Sequence, residues 1–151
     1  MNSKRRRVSG FSLIESLFAV FLVAICATII AATVPLANNN RARADMMNQA
    51  LQIAQKELEA ARYETYANLT VQRLKDDGLL DSTTPNGSLE YPFHNVDNGA
   101  FGSAAQILPQ GKGWLKIDQP AVDLRKITVR VAWVDRGNAR EVTLSTLVGN
   151  L

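Results

Sequence analysis

The chemically conspicuous residue in this chain is Glu15. It is the one charged side chain between Ser9 and Asn40, in a stretch otherwise dominated by Phe, Leu, Ile, Val and Ala. A carboxylate at the centre of a bilayer costs on the order of 2.5–3.5 kcal/mol, and less near an interface. Two arrangements make it tolerable: a cation pairs with it, or it stays hydrated at headgroup level. The second unusual cluster is Lys4, Arg5, Arg6 and Arg7, four cations just ahead of the apolar run. Such a tag fixes topology, because Lys and Arg stay on the cytoplasmic side.

Other reactive residue types are sparse. The single cysteine, Cys26, lies inside the apolar run, so no intramolecular disulfide can form. There it reads as a small hydrophobe. His94 is the only histidine, has no cysteine or carboxylate at metal-ligand spacing, and reads as a solvated loop residue. Asn95-Val96-Asp97-Asn98-Gly99 faintly suggests a calcium loop but lacks the later carboxylate, and reads as a turn. No Ser/His/Asp or Cys/His set and no Gly-rich phosphate loop can be assembled. The expectation is therefore no catalytic residue, cofactor or metal.

The formal charge of +3 invites a nucleic-acid reading. Removing the four N-terminal cations from the 17 Lys and Arg leaves 13, against 14 Asp and Glu. The basic character belongs to the tag, whereas a recognition surface would spread it over a folded face. Trp114 and Trp133 read as sheet packing, so no nucleic-acid partner is indicated.

The elements that position these residues follow from hydropathy. At ~1.5 Å per residue, residues 11–34 make ~36 Å of helix, enough to cross a ~30 Å hydrocarbon core. The segment exceeds a secretory signal's apolar region. The only nearby small-x-small pattern, Ala42-Arg43-Ala44, is polar and too far downstream. Beyond Pro35 the chain turns polar, then apolar spacing resumes at Ala44, Met47, Leu51, Ala54, Leu58 and Ala61, one stripe of a helix. One helix over roughly residues 11–65 is expected, with melting around Pro35–Asn40. The stripe could dock on the C-terminal domain, contact neighbouring helices, or do both on different faces.

Further on, Leu69–Leu80 suggests a short helix ending at Gly78. Residues 81–111 are turn-rich, with signals at Thr84-Pro85-Asn86-Gly87 and Asp97-Asn98-Gly99. Strands are expected around Leu89–Phe93 and at Trp114-Leu115-Lys116-Ile117. The clearest β signal is last. Ile127, Val129, Val131 and Trp133 alternate, then Val142, Leu144, Thr146 and Val148, around Asp135-Arg136-Gly137-Asn138. That is an antiparallel hairpin, with one face expected on the Met47/Leu51/Leu58 stripe as a helix-on-sheet layer.

The order of basic tag, Ser9-Gly10, Phe11-Ser12-Leu13-Ile14-Glu15 and long apolar run resembles the prepilin leader of type IV pilins and type II secretion pseudopilins. The resemblance covers roughly residues 4–34. It implies an α+β, pilin-like fold: a long N-terminal helix, its first half transmembrane, packed on a small antiparallel sheet. It divides the chain into a leader (1–10), a transmembrane helix (11–35), an amphipathic second half (36–66) and a β-rich domain (67–151). It implies cleavage after Gly10 by prepilin peptidase, N-methylation of Phe11, and pairing of Glu15 with a neighbouring subunit's N-terminal amine. The implied partners are that peptidase, other pilin or pseudopilin subunits, inner-membrane lipid and an assembly platform. The N-terminus would be cytoplasmic and the C-terminal domain periplasmic, before incorporation into a surface or periplasmic filament. The stretch Ala54-Gln55-Lys56-Glu57-Leu58-Glu59 is loosely similar to the corresponding helix of minor subunits. Pro35 falls slightly further along than the family's usual kink proline.

The expected function is thus a structural, non-enzymatic subunit, a minor one, of a type IV pilus. The alternative within the class is a type II secretion minor pseudopilin. From another class, a signal-anchored periplasmic binding module predicts an uncut N-terminus and a harmless Glu15→Ala. A membrane-tethered enzyme would need a catalytic set that the sequence does not offer.

Overall fold

The computed structural model describes residues 12–97 and 102–150. The chain is α+β: a long N-terminal helix packs on a four-stranded antiparallel sheet. It divides between Ala42 and Arg43 into two compact units. The first contains the apolar part of helix α1 (Leu13–Tyr63). Pro35 lies inside this helix without ending it, and no melting occurs over residues 35–40. Proline removes one backbone hydrogen bond. Unwinding residues 35–40 would forfeit several more, and the helix instead continues through the proline.

In the second unit the remainder of α1 docks through Ala50, Ala54, Glu57 and Ala61, all buried. Leu51, Ile53 and Leu58 flank this line and are partly buried. The expected stripe is therefore rotated: Ala44 is exposed and Met47 is 54% exposed. Ala50, Ala54 and Ala61 are fully buried in the core cluster that also holds Leu115, Ile127, Val129 and Val131, and the bulkier side chains beside them are only partly buried. Buried Glu57 carries no signal in the apolar periodicity.

A short helix α2 (Val71–Asp76) begins at the Thr70 cap, whose hydroxyl accepts from Arg73 N. It ends at Gly78, at φ +76°. Gly78 N–H donates to Lys75 O and Leu79 N–H to Leu74 O. This is a Schellman closure, sealed by the buried pair Leu74 and Leu79. The four-residue helix α3 (Ala104–Ile107) was not foreseen in the turn-rich stretch.

The sheet is a meander of β1 (Tyr91–Pro92), β2 (Lys112–Ala121), β3 (Leu124–Asp135) and β4 (Asn138–Gly149), paired in that order. The hairpin is as expected, and Arg136 and Gly137 both sit at positive φ, 51° and 83°. These two central residues make the tight turn whose twist matches the strands. Ile127, Val129, Val131 and Trp133 point inward and are at most 4% exposed. Strand β2 runs well past the four residues expected, with a register irregularity between Asp118 and Ala121 that accommodates Pro120. Strand β1 is only two residues long. Leu89, at φ +58°, breaks the extended run before it. Beyond it, Phe93 lies against Gly113, where a Cβ would come within 2.3 Å of the ring. At the other edge, no strand pairs with the outer side of β4 among the described residues.

Candidate functional site

The candidate site is the apolar part of α1, built around Glu15 in its first turn. The Ser12 carbonyl opens the helix by accepting from Glu15 N–H at 2.9 Å and Ser16 N–H at 3.1 Å. An anion in a helix's first turn lies at the positive end of the backbone dipole, which favours it there. The sequence neighbours Leu13, Ile14, Leu17 and Phe18 are each more than 60% exposed. The most apolar 18-residue window of α1 has a mean hydropathy of 2.7, with none of it buried. By length and composition this helix can cross a membrane.

The polar groups further along are satisfied within the helix. Thr28 Oγ1 donates to Ile25 O at 2.7 Å and Thr33 Oγ1 to Ile30 O at 3.0 Å. These back-bonds leave the hydroxyls no need of outside partners. Glu15 is different: its charge cannot be neutralised by its own backbone. Cys26 is exposed on the same apolar segment. Gly10, Phe11 and the cations Lys4, Arg5, Arg6 and Arg7 lie outside the described residues.

A family model described as the prokaryotic N-terminal methylation motif matches residues 5–31. The chain carries that motif. The methylation motif takes in Gly10, Phe11 and Glu15, and ends within the apolar part of α1. It supports a type IV pilin-like or pseudopilin-like chain, a class of structural subunits, through its N-terminal segment. No curated protein and no solved structure matches the chain.

The sheet domain accounts for the remaining candidate residues. His94 is part-buried rather than solvated: its Nδ1 accepts from Gly113 N–H at 3.0 Å, and its ring meets Trp114 edge-on at 5.2 Å. Trp133 is a core residue. Trp114 lies under the Arg130 guanidinium, 4.1 Å from ring centroid to Cζ. Arg130 grips Glu90 through two hydrogen bonds and reaches Glu141 at 3.4 Å. The Arg130 guanidinium holds the Glu90 carboxyl below its ordinary 4.5, and Glu90 in turn raises Arg130. The Glu90–Arg130 pair spans 40 residues with no local pattern to announce it. Of the calcium-like stretch, Asn95 N–H donates to the Asp81 carboxylate at 3.0 Å, and Asn98 and Gly99 lie outside the described residues. Among the described residues, no three His, Cys, Asp or Glu side chains are grouped to hold a metal.

Proposed function

We propose that this chain is a structural subunit of a type IV pilus or the related type II secretion pseudopilus. It is cut after Gly10 by prepilin peptidase, methylated at Phe11, and assembled through the apolar part of α1. The observation that carries this reading is the methylation motif over residues 5–31, coinciding with a lone acid in an exposed apolar helix.

The physical logic runs through charge. Glycine ahead of the cut has no side chain, so the backbone can enter a narrow active site. Cleavage there removes the basic tag, leaves the membrane helix on the mature chain, and creates an ammonium at Phe11. A carboxylate in lipid is costly alone and far less so beside a cation. Glu15 of one subunit therefore attracts the Phe11 amine of a neighbour, which favours assembly and sets register. Before assembly the chain sits in the inner membrane, N-terminus cytoplasmic and sheet domain periplasmic. The role is that of a minor subunit.

Mass spectrometry of the N-terminal peptide from membrane-extracted protein tests the reading. A peptide beginning at Phe11 with one added methyl group is expected. An intact Met1 or Asn2 start, in a cell with active prepilin peptidase, would make the chain a plain signal anchor.

A further inference from the structure

Arg43 is the first residue of the second unit, and its Nε lies 3.0 Å from Asp135 Oδ2. The two partners differ sharply in exposure. The Arg43 side chain is 45% exposed and the Asp135 side chain only 5%. Asp135 is also firmly placed: it ends β3 and pairs with Asn138 across the tight Arg136–Gly137 turn. Along α1, the first buried residue after Arg43 is Ala50, two turns on. Between them only Met46 is even partly buried, and the rest are exposed. At this end of the docked segment, burial of apolar area is nearly absent.

We infer that the Arg43–Asp135 ion pair is a clasp that sets where on α1 the sheet domain's grip begins. With the pair closed, residues 43–50 are held against the domain. With it open, the held part of the helix starts near Ala50, where apolar packing takes over. The imbalance in burial gives the clasp its strength. Removing the guanidinium strands a buried carboxylate, and breaking a buried pair by deleting one partner is strongly unfavourable. The carboxylate regains water when the two turns beside it loosen. Because Arg43 is half in solvent, the clasp also weakens as salt screens it. This inference is independent of the filament reading.

Amide hydrogen exchange on the full chain in detergent micelles tests it, comparing residues 44–50 with the core strand 127–131. Arg43→Ala is expected to lower protection of 44–50 by roughly tenfold, within the range for residues in direct contact. Asp135→Asn should do the same while keeping the side chain's shape and leaving no stranded charge, so it serves even if Arg43→Ala folds poorly. The double variant should lose no more than either single one, and strand 127–131 should be unaffected throughout. Unchanged protection of 44–50 in both single variants would overturn the clasp. So would an equal loss in 127–131, which would make the pair a general stability contact, or losses that simply add in the double variant.

Discussion

Glu15 and Glu90 are both carboxylates, but their surroundings give them opposite tasks. Glu90 is neutralised at home by Arg130, while Glu15 sits among leucine, isoleucine and phenylalanine with no cation on its own segment. A Glu15→Ala chain should therefore still be processed after Gly10 but fail to enter filaments. Shed-filament immunoblots alongside N-terminal mass spectrometry check this, and normal incorporation would remove the role assigned to Glu15. For Glu90 the sign of the pH effect follows from its lowered pKa. A carboxyl whose folded value is depressed contributes stability above its unfolded value and loses it as pH falls through the folded one. Thermal stability of the chain should thus decline from about pH 4.5 downward. Glu90→Gln should flatten that part of the melting-temperature profile while lowering the plateau at neutral pH.

At the scale of elements, one tight packing constraint is the crossing of Phe93 over Gly113. A Gly113→Ala methyl would fall inside the ring's van der Waals envelope. Overpacking of this kind costs roughly 1–3 kcal/mol. A corresponding drop in denaturation midpoint by circular dichroism is expected, whereas Gly87→Ala, which meets nothing within 4 Å, should leave the midpoint near the parent's. The elements differed in how far the sequence announced them. Period-2 alternation exposed β3 and β4, and hydropathy exposed α1, because each pattern repeats over many residues. The docked face of α1 was placed in part: Ala54 and Ala61 of the expected stripe are fully buried and Leu51 and Leu58 partly so, but Ala44 and Met47 are exposed, and Ala50 and Glu57, which lay off the stripe, are buried. Helix α3 was hidden because four residues are too few to show a period, whereas β1 lies inside the strand expected around Leu89–Phe93 but is shortened to two residues. The N-terminal motif was legible because it is local: the family-model match runs over residues 5–31 without interruption. His94 was misread because its partner, Gly113, is 19 residues away.

On the scale of the whole molecule, the open side of β4 limits how copies can meet. Residues 142–149 carry no charge and no proline, the usual protections of a free edge. Antiparallel pairing of two β4 strands into one continuous sheet requires a two-fold axis perpendicular to that sheet. Such an axis reverses every direction lying in the sheet's plane, including that of the helix docked on it. In such a pair the docked segments of α1, residues 43–63, run in opposite senses. A fragment beginning at Arg43 keeps this open edge. It is expected to self-associate with rising concentration in sedimentation velocity, and Ser145→Pro, which removes a donor facing away from β3, should return it to monomer. With neither lysine nor proline on residues 142–149, the outer edge of β4 is a surface that a second strand can cover.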